Sequence, residues 1–355
     1  MKIGSRRLEC LQSNIYVTNR CDRQCAHCYY PHDDMTMSLD VARDIGRWIV
    51  KTCKDYDVKL YKAHFLGGEP FNAIDRVRWL VDYLNTFLPT TTHGHEDGKY
   101  VVFTNGDKLE DPMLRILKKR RIRIMLNPTY NDLDEVERRI LKIKEIMGGC
   151  SLAVVADEVN LPRLPEIAHL AVKHHAHMRI NRLYDGGTRP GYIEEFRDQM
   201  HKVFDILLSS DWVMWPNYIL ESSYPTWEGP KNPNACGRWL IVIDPDGSIR
   251  SCNGDINTRI GSIYSHKYED LEFPHRWSSK GLSDCESCEF ATICQGGCPY
   301  VRKLSCGNYN IKTPFCEAYK TLWPRVMELK RRWDGMQSGH HKPGMSLAPL
   351  QALAQ

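Results

Sequence analysis

Three cysteines fall inside eight residues of the segment NRCDRQCAHCYYPH (19–32): Cys21, Cys25 and Cys28, spaced C-x3-C-x2-C. Thiolates crowded on one short loop are metal ligands by type. A structurally closed site recruits four ligands. Three leave one coordination position for something else. At this spacing they can hold three irons of a [4Fe-4S] cube and leave the fourth iron free for an exogenous chelating ligand. A zinc site with a distant fourth ligand is the competing reading.

The chain carries fourteen cysteines in 355 residues, and most of them are clustered. Cys236 and Cys252 form a second group, and Cys285, Cys288, Cys294, Cys298, Cys306 and Cys316 form a third. Only Cys10, Cys53 and Cys150 are isolated. The opening MKIGSRRLEC lacks the apolar core of a signal peptide, and no stretch reaches the roughly 20 apolar residues of a membrane helix. A cytoplasmic location is therefore expected, and in a reducing compartment clustered cysteines are metal ligands rather than disulfides. The formal net charge of +4 is too mild to imply nucleic acid. The basic run KKRRIR (118–123) reads as a helix end meeting water. His174, His175 and His177 read as a solvated helix end, and the two histidines of the tail as solvated.

Elements that alternate between strand and helix must position these residues. SNIYVTN (13–19) reads as a strand running into the cysteine loop. A helix follows over 38–54, with Ser38 as N-cap and Val41, Ile45, Trp48 and Ile49 on one face. Strands are expected at 59–68, 99–106 and within RIRIMLNP, CSLAVVAD and HMRINRLYDGG, with helices at 73–88, 108–119, 133–147 and 163–175. Six βα units imply a parallel sheet with right-handed crossovers, an α/β fold best described as a partial (β/α)6 TIM-like barrel. In such folds chemistry sits at the C-terminal ends of strands. The cysteine triplet follows the first strand, LGGEP (66–70) the second, and Thr104-Asn105-Gly106 the third. The expected organisation is a core over 1–190, a bridging helix over 191–215, a cysteine-rich domain over 216–335 and a disordered tail over 336–355. WLIVIDPDGSIRSC (239–252) reads as a β-hairpin turning at Pro245, Asp246 and Gly247. The aromatic stretch DWVMWPNYILESSYPTWEGP (211–230) reads as inter-domain packing, with a substrate-cavity lining as the alternative.

The triplet resembles the signature of the radical S-adenosylmethionine enzymes, C-x3-C-x-aromatic-C, with His27 in the aromatic place. The resemblance implies that S-adenosylmethionine binds the open iron through its amino and carboxylate groups and is split to give a 5′-deoxyadenosyl radical. It also implies that Gly67, Gly68 and Glu69 grip the ammonium group, and that Thr104 and Asn105 lie near the cofactor. Asn127 and Arg179, or Asn181, are candidates for carboxylate or ribose contacts. The later cysteines resemble the seven-cysteine SPASM domain, with CQGGCP (294–299) matching in detail; paired zinc knuckles are the alternative. The resemblance implies two auxiliary [4Fe-4S] clusters, three clusters in all. Cys285, Cys288, Cys294 and Cys316 would bind the distal one, and Cys236, Cys252 and Cys298 the proximal one. An eighth cysteine of some relatives is replaced by Pro230, which leaves the proximal cluster short of a thiolate. Cys306 is a candidate ligand there, a free thiol, or a hydrogen donor to a substrate radical.

Sulfatase maturases of this architecture place an aspartate directly after the second hairpin cysteine. Here that residue is Asn253, and Asp255 reads as a loop residue. The expected activity is therefore crosslinking, thioether formation or epimerisation in a ribosomally made precursor peptide. A small-molecule dehydrogenase or epimerase is the alternative enzyme, and an iron–sulfur electron-transfer or redox-sensing protein the alternative of another class. The chain begins about 20 residues before its cysteine triplet, so the expectation is a separate leader-binding partner or minimal leader recognition. An electron donor such as flavodoxin or ferredoxin is implied, and neither nucleic acid nor membrane.

Overall fold

In the computed structural model the described residues are 8, 10–88, 99–128, 131–184, 189–214, 220, 239–274 and 279–339. In chain order the elements are β1 (Cys10–Tyr16), α1 (Leu39–Asp55), β2 (Leu60–Leu66), a 3-10 turn (Pro70–Ala73), α2 (Ile74–Phe87), β3 (Tyr100–Thr104), α3 (Asp111–Lys119) and β4 (Ile122–Leu126). They continue with α4 (Leu133–Met147), β5 (Ser151–Ala156), α5 (Leu164–Lys173), β6 (His177–Arg182) and α6 (Tyr192–Ser209). Last come β7 (Leu240–Ile243), β8 (Ser248–Arg250), β9 (Arg259–Ser262) and the helices α7 (Ser283–Glu286), α8 (Ala291–Cys294), α9 (Pro299–Cys306) and α10 (Cys316–Gly339). The expected α/β class holds, with six successive βα units. The chain forms two compact units. One holds the described residues up to Met125 and those from 239 to 274; the other holds those from Leu126 to 220 and from 279 to 339.

Local signals account for most boundaries. Ser38 caps α1 by accepting the Val41 N–H at 3.2 Å, and Ala42, Ile45, Ile49 and Cys53 form its buried stripe. Asp132 caps α4 through the Glu135 N–H, and Gly148, in the left-handed region, ends it. Lys118 and Lys119 close α3, where cations suit the helix dipole, and Arg120 forks onto Asp82. The basic run is thus a helix end, as expected.

In the first unit the strand order is β4-β3-β2-β1-β7-β8-β9. β1 pairs parallel with β2, and β2 with β3. β1 is almost wholly buried, as the interior strand of a covered sheet should be, whereas β2 alternates buried and half-open residues. The hairpin expected over 239–252 forms as β7 and β8, and β7 lies parallel to β1, Gln12 opposite Leu240. This pairing, and β9 beyond it, were not foreseen.

The hairpin is locked to the cysteine loop by one buried cation. Arg250 forks onto Asp244 with two contacts of 2.6 Å and donates from Nη1 to the carbonyls of Cys252 and Asn253, both at 3.0 Å. Its guanidinium lies over the rings of Tyr16 and Tyr30, which stack at 4.2 Å. The Tyr30 hydroxyl donates to Asp244 at 3.3 Å. One side chain therefore fixes the residues just after Cys28 and the carbonyl of Cys252.

In the second unit β5 and β6 pair in parallel. Phe315, fully buried, meets Tyr192 and Phe196 of α6 edge-on at 6.1 and 5.9 Å and stacks on Tyr319 at 5.7 Å. α10 is further tied to α6 by Arg325 with Asp205 and by His201 with Thr321. α10 runs to Gly339. His174 pairs with Glu137 at 2.5 Å, and the rings of His175 and His177 lie against Trp212.

Replacing Arg250 strands the Asp244 carboxylate in a largely buried place. Arg250→Met should lower stability by about 3–5 kcal/mol, read from denaturant unfolding of the metal-free protein; a loss below about 1 kcal/mol would show that the fork is not what holds the hairpin.

Candidate functional site

β1, β2 and β3 are neighbours and parallel, so the segments after them meet at one rim. The β1–β2 ladder continues past the strands: Gly68 N–H donates to Thr18 O, and Glu69 N–H to Arg20 O, both at 2.8 Å. The two backbones run so close that only glycine fits. A Cβ on Gly68 would lie 2.4 Å from the Arg20 carbonyl oxygen, and one on Gly67 2.4 Å from that of Thr18.

Glu69 is 1% exposed. Its Oε1 accepts from the Phe71 N–H at 3.0 Å and the Thr104 hydroxyl at 2.9 Å, and its Oε2 from the Asn105 N–H at 2.8 Å. One carboxylate thus joins the GGEP turn to the TNG turn. Burial pushes its pKa up; the three hydrogen bonds pull it back. A carboxylate has about four acceptor positions, so Oε2 keeps one for a further donor.

The cysteine loop is pinched at its base. Thr18 and Thr36 share a hydroxyl contact of 2.7 Å, Asn19 Nδ2 donates to Asp33 at 2.9 Å, and the Asn19 N–H to Met35 O at 2.8 Å. It is also cross-linked to the neighbouring turns. Arg23 forks onto Asp107, with Nε at 2.7 Å, and Lys108 reaches Asp22 at 3.0 Å and also holds Asn72. Cys21 and Cys25 are half-buried and Cys28 is exposed. The sulfur of Cys28 lies 3.2 Å from His32 Nε2, and lost hydration pushes the Cys21 thiol up, with Glu69 and Cys28 adding to it. His27 is half-buried in the same loop.

The structure therefore places Gly67, Gly68, Glu69, Thr104 and Asn105 together with the triplet loop in one unit. Asn127 and Arg179 lie in the other unit; Arg179 Nε donates to Asn181 at 2.8 Å. Asn253 meets Asn14 at 3.0 Å. Cys252 is buried just after β8. Cys236, Pro230 and most of the aromatic stretch lie outside the described residues.

In the second unit Cys285, Cys288, Cys294 and Cys316 line one small cavity, with Lys312, Lys320 and Trp323 also in its wall. The left-handed backbone at Gln295, Gly296 and Gly297 bends CQGGC around it, and a Cβ on Gly297 would lie 2.5 Å from Thr313. Cys298 caps α9 and is buried, while Cys306 ends that helix exposed and does not line the cavity. None of the described cysteines is in a disulfide. No three His, Cys, Asp or Glu side chains among the described residues close around one point, as a single ion would need. A cube of iron and sulfide is gripped at separate corners, so its thiolates stand apart. The donor set fits such a group: four thiols in one cavity, with the buried indole N–H of Trp323 unpartnered and Cys294 as the acceptor within its reach. Sequence reasoning missed Arg250 and Trp323, whose roles depend on packing; the pairing of the hairpin with β1 would have been needed to find the first.

Comparison with known proteins accords with this geometry. No family model matches the chain. A mycofactocin maturase, MftC, of Mycolicibacterium smegmatis is 24% identical over 94% of the chain and 88% of its own length. The subtilosin biosynthesis protein AlbA of Bacillus subtilis is 20% identical over 85% of the chain and 70% of its own. A structure of anSMEcpe with bound AdoMet superposes with a TM-score of 0.70 at 16% identity, over 91% of the chain and 99% of that one. Streptococcus suis SuiB bound to S-adenosylmethionine gives 0.54 at 17% identity, over 86% of the chain and 75% of that one. The resemblance to peptide-modifying radical S-adenosylmethionine enzymes is borne out.

Gly68→Ala drives a methyl group into the Arg20 backbone, so it should part the GGEP turn from the cysteine loop and lower the denaturant midpoint of the protein, read by circular dichroism. Gly149→Ala, in open space and without a left-handed backbone, should behave as wild type in the same assay.

Proposed function

We propose that the chain is a radical S-adenosylmethionine enzyme that modifies a ribosomally made precursor peptide. The observation that carries this reading is the clamp at the strand ends, where Glu69 and Arg23 tie the GGEP and TNG turns to each other and to the cysteine loop. Cys21, Cys25 and Cys28 would hold a [4Fe-4S] cluster, and when bound this cluster and S-adenosylmethionine supply a radical able to remove hydrogen from an unactivated carbon. Glu69 offers its remaining acceptor position to the cofactor's ammonium group, and the Gly67–Gly68 backbone, packed on Thr18 and Arg20, holds that carboxylate beside the cysteine loop. Thr104 and Asn105 hold the carboxylate in place for it.

The four thiols of the second unit's cavity would hold one auxiliary cluster. Asn253, where sulfatase maturases place an aspartate, turns its amide oxygen to Asn14. This supports a product other than formylglycine. The relatives named as maturases, and a structure of anSMEcpe with AdoMet and a peptide, support a peptide as substrate. A leader-binding partner and a low-potential electron donor would complete the system. Thirteen described cysteines free of disulfides suit a reducing cytoplasm. No described helix is long and apolar enough to cross a membrane.

Anaerobic incubation of reconstituted protein with S-adenosylmethionine and dithionite should release 5′-deoxyadenosine, and Cys25→Ser should release none. Release from the wild type at the level of the blank would overturn the reading.

The ammonium needs Glu69 ionised. Because burial raises this carboxyl, acidification should weaken cofactor binding at a pH above the ordinary glutamate range near ~4.3. Glu69→Gln should bind weakly without that pH dependence and lose about 1–3 kcal/mol of stability, since the amide cannot satisfy all three donors. Binding by the wild type that stays flat down to pH ~4.3 would contradict the role.

A further inference from the structure

Arg302 lies on α9 one turn after Cys298, and its backbone N–H donates to the Cys298 carbonyl at 3.0 Å. Its side chain is 2% exposed. Both Nε and Nη1 are buried, and neither has a hydrogen-bond partner among the described residues. No carboxylate lies within ion-pair distance of it among them. A buried charge without a partner is strongly destabilising. Burial works against the charge of the guanidinium, and the nearby groups that favour it are the sulfurs of Cys298 first, then Cys285 and Cys294. Neutral thiols would not balance a cation. Thiolates on an anionic iron–sulfur cluster would, and guanidinium is the cation suited to burial: always charged, delocalised and weakly hydrated.

We propose that Arg302 is the buried counter-cation of the auxiliary cluster held by Cys285, Cys288, Cys294 and Cys316, and that its charge sets that cluster's reduction potential. The proposal rests on the reading of these cysteines as cluster ligands. Arg302 is a positioning residue: it touches no substrate and acts through the cluster. The other nearby cations are weaker candidates. Lys312 and Lys320, in the cavity wall, share Glu317 at 3.6 and 3.2 Å and keep 42% and 45% side-chain exposure, so water and salt screen them. The buried N–H of Trp323, with Cys294 within its reach, offers a neutral donor to that ligand. Hydrogen bonds to the sulfurs and local charge are the levers by which a protein tunes such a cluster. Reduction adds one negative charge to the cluster, so removing the cation must disfavour the reduced form.

The test uses anaerobically reconstituted wild type, Arg302→Met, Arg302→Lys and Cys294→Ser, with iron counting and EPR-monitored redox titration. Arg302→Met that keeps its full iron should shift the reduced-to-oxidised ratio of one cluster about tenfold or more towards oxidised, a fall of about 59 mV for a one-electron couple. Arg302→Lys should shift it less. If Met loses one cluster's iron and Lys retains it, charge is again the requirement. The proposal is overturned if Met keeps its iron with unchanged potentials, or if Lys loses the cluster as Met does, since shape would then be the requirement. Failure of the underlying reading would look different: Cys294→Ser would hold as much iron as the wild type, and the proposal would go with it.

Discussion

Two backbones touching at the ends of β1 and β2 set the geometry of everything else. Gly67 and Gly68 let the GGEP turn lie directly on Thr18–Arg20, and that contact brings a cysteine loop and a buried carboxylate to the same place. A side chain at either glycine would separate them. Glu69 then extends the contact sideways, joining the second strand's turn to the third's through three hydrogen bonds made in a dry environment, where each is stronger than in water. The loop that carries the thiols is left free of regular structure but not free to wander, because its stem and its Arg23 fork are tied down.

The same economy recurs in the cysteine-rich region, where little apolar periodicity is available to build a core. Two devices replace it. Arg250 gathers Asp244, Tyr16 and Tyr30 into one cluster beside Cys252. Phe315 inserts into α6 and so fixes the start of α10 at Cys316. Among the described residues the fold leaves two buried nitrogens of Arg302 without acceptors and gives the indole N–H of Trp323 only a cavity thiol, Cys294, within reach. In a small domain an unsatisfied buried donor is a liability, and here the donors sit where an anionic cluster would accept them. Metal binding and folding are expected to be coupled in such a region.

Much of this was legible in the sequence because it is local. The α1 stripe from Ile45 to Ile49, the Ser38 cap, the alternation along β2 and the turn at Asp246–Gly247 are read from neighbours in the chain. The cysteine spacings pointed to ligand groups, and the cavity gathers four of them. What was hidden is non-local. Nothing in LIVI says that it will lie beside β1 rather than within a separate domain. Nothing in the sequence distinguishes Arg250 and Arg302, both buried, from the exposed arginines of α1. Glu69 was expected to offer its carboxylate to a ligand. Three of its acceptor positions turn out to be spent on the fold, which leaves one.

The central claim is that the triplet loop holds a cluster with one iron open to S-adenosylmethionine beside Glu69. It is tested most directly by the EPR spectrum of the reduced cluster in a variant lacking the auxiliary cysteines, recorded with and without the cofactor. Direct coordination predicts a change in g-values on addition of S-adenosylmethionine and none on addition of methylthioadenosine, which lacks the amino and carboxylate groups. A spectrum identical in the presence and absence of the cofactor at saturating concentration would contradict the account.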